Sequence, residues 1–173
     1  MIGYRLGQVK QQLGFVEPLA AAEKAEVDAR LSPAALALFE TMSPADQRHA
    51  LRVCQGLRAR GCTDDLLLIA ALLHDVGKAG GRVPFWTRPV IVLGKRLAPC
   101  LLAKLVVPPR DFALVRRRLP CWRRSLSYAW YHADVGADLA AAAGLPEQVV
   151  LYIRTHHQPN GPAAALHAVD EVS

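Results

Sequence analysis

His74, Asp75 and Lys78 stand at the end of an unbroken apolar run, Leu66 to Leu73, in a chain of 173 residues. Neutral imidazole and carboxylate are the usual protein ligands of a divalent or iron centre, and adjacent ones at a buried helix end can reach one ion from a single backbone. A charged Asp is costly to bury alone, so its position there calls for a metal or for a positive partner such as Lys78. The same residue types recur along the chain: His49 before the run, His132, His156 and His157 after it, and Asp170 near the end. Taken singly, each histidine reads as an ordinary surface or core residue. Together with Asp75 and Asp170 they make the set that a dinuclear metal site would draw from separate helices of a bundle.

Positioning such a set requires packed helices, and the composition favours them. The chain is 52% hydrophobic but only 6% aromatic, with Ala and Leu dominant, which predicts an all-α single-domain helical bundle with a substantial core. Residues 1–42 read as an N-terminal helical extension packed on the core, in which 1–31 make two modest helices broken near Gly14 to Pro18. Residues 43–173 carry the chemistry-bearing positions. Ser32-Pro33 and Ser43-Pro44 each pair an N-cap residue with proline at the first helical position, and Asp46 adds an acidic first turn to the second helix. That helix is predicted over Pro44 to Ala59, with Leu51, Cys54 and Leu57 as its apolar stripe and His49 and Arg52 beside the buried boundary.

Gly61 then stops that helix, and Thr63 is expected to cap the central helix, running through the apolar stretch to Gly77. The segment RPVIVLGKRLAPCLLAKLVVPP reads as one broken helix. Asp111 is expected to cap the next, and Arg116 to Arg118 with Arg123 and Arg124 surround a kink expected at Pro120. Trp122, Tyr128, Trp130 and Tyr131 are interleaved with this basic group, a pattern that fits single-stranded nucleic acid less well than a helix anchored by its apolar side while arginines snorkel. Helices follow over Tyr131 to Ala143 and from Pro146 through His157, and a last short one ends the chain. Gly136, four residues after His132, lies on the same helical face, where a neighbouring backbone can approach closely.

The formal net charge is +6, unevenly spread: from Arg82 to Arg124 eleven Lys or Arg face Asp111 alone. Such a segment either meets something anionic, a phosphate substrate, a membrane surface or nucleic acid, or forms a solvated basic face. For RPVIVLGKRLAPCLLAKLVVPP an interfacial amphipathic helix is the sharper alternative to a packed core element. Cys54, Cys62, Cys100 and Cys121 form no CxxC pair and read as reduced structural cysteines. The stretch MIGYRLGQVKQQLGF has no long apolar core behind its charges, so no secretory signal is expected and the predicted compartment is the cytoplasm.

The order His49, His74-Asp75 with Gly77-Lys78, His132 with Gly136, His156-His157 and Asp170 resembles the HD-domain superfamily of metal-dependent phosphohydrolases, over Ser43 to Ser173. The resemblance, to compact stand-alone members, implies a helical bundle holding one or two divalent metal ions, with Fe, Mn, Mg, Ni, Co and Zn not distinguished. His49, His74, Asp75 and Asp170 match the first metal's positions, with Asp75 as a bridge; His132, His156 and His157 match the second's. Lys78 matches a lysine that contacts the phosphate or metal-bound hydroxide, and Arg52, three residues after His49, is a candidate phosphate contact at the edge. The implied reaction is hydrolysis of a phosphoester or phosphoanhydride, of a nucleotide above all, by a metal-bound hydroxide.

Departures narrow the expectation. The sequence after the paired histidines is HHQPNGP rather than the GYP type of relatives that cleave cyclic dinucleotides, and Ala45 stands where trinuclear relatives place a carboxylate. Asp134 and Asp138 flank Gly136 and read as ordinary surface acids. Two alternatives stay open: a mixed-valent di-iron oxygenase on the same fold, and a non-catalytic metal-binding regulatory module docked through the basic segment.

Overall fold

A computed structural model of the chain describes residues 16–81, 83, 87–108, 111 and 119–173. The helix expected before Gly14 and the one expected after Asp111, with Arg116 to Arg118, lie outside the described residues, as do Arg82 and Arg110. Among the described residues the protein is all helical, as its composition predicts, with nine α-helices and one 3-10 helix.

The first three helices, α1 (Ala21–Asp28), α2 (Pro33–Glu40) and α3 (Pro44–Ala59), start where their caps dictate. Ser32 Oγ accepts the Ala35 amide at 3.3 Å, and Ser43 Oγ accepts the Asp46 amide at 3.2 Å while donating to its carboxylate at 2.6 Å. Val27, Leu31, Ala35, Phe39 and Met42 are buried in the same core as Ala50, Leu51, Val53, Cys54 and Leu57 of α3. Arg48 ties this part down further, donating to the Glu17 and Pro18 carbonyls and pairing with Glu23.

Helix α4 (Asp65–Leu73) is central: Leu67, Leu68 and Ala70 to Leu73 are all buried. Two details differ from the sequence expectation. Its cap is Asp64 rather than Thr63, because the Asp64 carboxylate accepts both the Leu66 and Leu67 amides. The α-helix stops at Leu73 rather than Gly77, and Val76–Gly81 winds on as a 3-10 helix with the Lys78 amide bonded to the Asp75 carbonyl. The sequence VGKAGG is a poor α-helix former, and the tighter winding is common at helix ends.

The broken helix expected from the RPVIVLGKRLAPC segment is α5 (Thr87–Leu97) and α6 (Pro99–Leu105), parted at Ala98, a residue held out of the α region by the proline after it. Helix α7 (Cys121–Ala142) corrects the sequence expectation: it is one 22-residue helix, with Pro120 just ahead of it rather than kinking it and no new start at Tyr131. Two shorter helices close the chain, α8 (Glu147–Thr155) and α9 (Ala164–Asp170). Gly61 (φ 83°) and Gly144 (φ 73°) end α3 and α7 in the left-handed conformation that glycine adopts without penalty.

Burial falls into two clusters. The main one joins α1 to α4 with Ala137 and Ala140 of α7, Val149 and Ile153 of α8, and Leu166 and Val169 of α9. A satellite of Leu102, Val106 and Leu126, flanked by Ile91, Leu105, Trp130 and Tyr131, lies between the α5–α6 hairpin and the first half of α7.

Candidate metal centre

Five elements deliver the histidines and carboxylates to one place. His49 comes from α3, His74 and Asp75 from the turn after α4, His132 from α7, His156 and His157 from the end of α8, and Asp170 from the last residue of α9. Each helix puts an apolar face into the main core, so hydrophobic packing sets the positions of these side chains. His74, Asp75, His132 and His156 are buried, and His157 lies at the exposed rim.

Three of the imidazoles are fixed by the same device. Nδ1 of His74 bonds the Ala71 carbonyl at 2.8 Å, Nδ1 of His132 the Ala129 carbonyl at 2.8 Å, and Nδ1 of His156 the Ile153 carbonyl at 2.7 Å. A carbonyl only accepts, so each Nδ1 carries the proton and each Nε2 turns a lone pair toward the centre. This is the outer-shell arrangement that orients a metal-binding histidine. Sequence reasoning missed these three carbonyls, since any residue type supplies one; the usable signal is a histidine three residues beyond a helical carbonyl.

Two donor groups result, His49 with His74 and Asp75, and His132 with His156 and His157, each with ligand atoms within 4.8 Å of one another. Either group could hold a metal ion. Asp75 faces both. Its Oδ2 lies 3.6 Å from His74 Nε2 and 4.0 Å from His49 Nε2, while its Oδ1 lies 3.3 Å from His132 Nε2. Asp170 joins the first group, with Oδ1 2.8 Å from His49 Nε2 and 3.6 Å from His74 Nε2. In the second group His132 Nε2 lies 3.0 Å from His157 Nε2 and 3.3 Å from His156 Nε2.

These separations suit a cation. Bonds of about 2.1 Å at tetrahedral or octahedral angles place neighbouring ligand atoms roughly 3.0–3.4 Å apart. His74 Nε2 is also buried without a hydrogen-bond partner, and the lone pairs of His132 and His156 face each other across 3.3 Å. Both features are unfavourable unless a proton or a metal lies between the atoms. The donor set is imidazole and carboxylate without thiolate, which suits Fe, Mn, Co, Ni and Zn.

Electrostatics follow the geometry. Burial would raise the Asp75 carboxyl, but Lys78 and the surrounding histidines outweigh it and hold it well below the usual range. Asp170, against the same penalty, is lowered by its hydrogen bond to His49 and by the nearby His74 ring. Burial, reinforced by Lys78, pushes His132 down to about 3. His156 is lowered by burial and by the other histidines, and His157 chiefly by burial. His74 goes the other way: burial opposes its charge, but Asp75 and Asp170 prevail and raise it.

Lys78 reaches back to Asp75, Nζ to Oδ2 at 2.6 Å, and its side chain stays partly exposed. Arg52 is exposed on α3 and makes no ion pair among the described residues. Asp134 and Asp138 lie outside the cluster, paired at the surface with Arg154 at 3.1 and 2.7 Å. They clamp α7 to α8. His167 pairs instead with Glu171 at 3.7 Å. The four cysteines are free, and burial pushes the Cys54 thiol up to about 11, which keeps it protonated and unreactive.

Compared with family models, with curated proteins and with solved structures, the chain matches none.

Proposed function

We propose that the protein is a metal-dependent phosphohydrolase of the HD type, cleaving a phosphoester or phosphoanhydride, of a nucleotide above all. The observation that carries this reading is Asp75, whose two oxygens face two separate histidine groups. A carboxylate so placed is the natural bridge of a two-ion site. His49, His74 and Asp170 would complete one ion's ligands, and His132, His156 and His157 the other's. Bound divalent ions supply neutralisation of the phosphoryl oxygens and a water of lowered pKa.

The chain's own groups have distinct tasks. Lys78 is partly exposed beside Asp75, so its ammonium can turn from that carboxylate to a phosphoryl oxygen as a further positive charge. The three Nδ1 bonds to carbonyls hold the rings still, so no orientation is lost when substrate enters. His157, at the rim, stands where substrate would arrive. Arg52, exposed on α3, would contact a phosphate from the edge.

The test is metal analysis of protein purified without added metal, followed by phosphate release from a panel of nucleotides and other phosphoesters. Metal near two ions per chain with phosphate release supports the proposal. Oxygen consumption with an organic substrate by the iron-loaded protein, without phosphate release, would replace hydrolysis with oxygenase chemistry. Bound metal with neither activity would leave a regulatory module.

A further inference from the structure

Helix α5 carries two apolar stripes. Thr87, Ile91, Gly94 and Ala98 recur at helical spacing on the inward side: Thr87 is buried, and Ile91 packs on the Leu102, Val106 and Leu126 cluster. Gly94 lies so close to α6 that a Cβ there would stand 2.7 Å from the Leu102 side chain. A second stripe, about a quarter turn round the helix, is Val90, Leu93 and Leu97, which are 41, 55 and 73% exposed. Leu101 of α6 and Trp122 at the start of α7 are exposed as well, and Arg123 joins these two helices by donating to the Leu105 and Lys104 carbonyls. A soluble surface rarely shows so many large apolar side chains on neighbouring elements without a use for them.

Charge selects the occupant. Exposed Arg96 and Lys104 flank these side chains, within a segment that has eleven basic residues and one acid between Arg82 and Arg124. Pairing of this face with itself on a second copy would bring like charge against like charge. An anionic bilayer matches both halves of the pattern, acyl chains for the leucines and headgroup phosphates for the cations, with tryptophan at the boundary. Helix α5 has 11 residues, about 16 Å, against a hydrocarbon core of about 30 Å, so it would lie in the interface rather than cross it.

We propose that the α5–α6 hairpin docks the protein on an anionic phospholipid surface, with Val90, Leu93 and Leu97 inserted and Arg96 and Lys104 at the headgroups. The proposal does not depend on the chemistry of the metal centre. Its test is flotation of the full chain with phosphatidylcholine vesicles made with and without phosphatidylglycerol. Wild type is expected to bind the anionic vesicles, more strongly at low salt. Leu93→Asp should cut binding roughly tenfold or more, the factor that burying one leucine is worth. Arg96→Glu with Lys104→Glu should abolish the preference for anionic lipid. Leu151→Asp, at an exposed leucine of α8, should bind as wild type, and thermal melts should show each variant folded. Failure of wild type to bind, or unchanged binding by a folded Leu93→Asp, overturns the proposal. So does a concentration-dependent dimer that Leu93→Asp dissociates when wild type binds no vesicles, which would assign the stripe to a second copy.

Discussion

Gly77 lies against the main chain of His132: a Cβ on Gly77 would overlap the His132 carbonyl oxygen and stand 2.7 Å from the Gly136 nitrogen. The 3-10 segment that carries Lys78 is thus pressed onto the helix that carries His132, and the two donor groups owe their closeness to this contact. Gly136 answers from the other side, since a Cβ there would meet the Gly77 nitrogen at 3.2 Å. The expected result of Gly77→Ala is a loss of about 1–3 kcal/mol with reduced metal content, as backbone must move to relieve the overlap. Chemical denaturation and metal per chain measure both. Gly61→Ala, strained at its φ of 83° but far from this contact in sequence, should cost stability without the loss of metal.

Asp75 and Lys78 touch, yet their substitutions should separate. Asp75→Ala removes the carboxylate facing both histidine groups and should empty the site of metal and abolish turnover. Lys78→Ala leaves every proposed ligand in place, so metal should stay bound while phosphate release falls. His156→Ala should lower metal content by about one ion per chain. Metal analysis beside single-turnover phosphate release distinguishes the three; equal metal loss in Lys78→Ala would give Lys78 a purely structural role.

Acid should destabilise the metal-stripped protein in two stages. His132 sits near 3 when folded against about 6.5 unfolded, and His156 and His157 are lowered too. The unfolded chain therefore binds more protons, and stability present above about pH 6.5 is lost as pH falls toward 3. Asp75 and Asp170, also lowered, add a second loss as pH drops below about 4. His74 has the opposite sign: its raised pKa contributes stability below about pH 6.5 that disappears as pH rises through its folded value. Three histidines outweigh one, so the expected change between pH 7 and 4 is a loss on the order of a few kcal/mol, read from urea midpoints.

Asp64 serves two helices at once, capping α4 with one oxygen and accepting the Tyr152 hydroxyl of α8 on the other at 2.8 Å. Asp64→Ala should cost about 1–2 kcal/mol by loss of the cap, more than Tyr152→Phe, which removes only an exposed hydrogen bond. Thermal melts of the two variants rank them.

The helical class and most helix starts were legible because their causes are local: a serine before a proline, a glycine after a helix, an apolar run too long for a surface element. The convergence of the histidines was legible as a pattern of residue types, since His74 and Asp75 end the most buried helix. What escaped depends on contacts across the fold. Nothing local to Thr63 and Asp64 says which one caps α4 when both are able to. The unbroken run of α7 past Tyr131 follows from one side of it packing on two different clusters. The partners of Asp134 and Asp138 were invisible for the same reason, as Arg154 arrives from another helix.

The separation of the satellite cluster from the main core predicts two cooperative units. Leu102, Val106 and Leu126 make a small reservoir of buried surface beside that under α4, so opening of the α5–α6 hairpin exposes little and costs correspondingly little. Amide hydrogens of α5 and α6 will exchange with deuterium through this sub-global opening, while those of Leu72 and Leu73 wait for global unfolding. The hairpin can therefore detach and re-anneal without disturbing the protection of the helix that leads to His74.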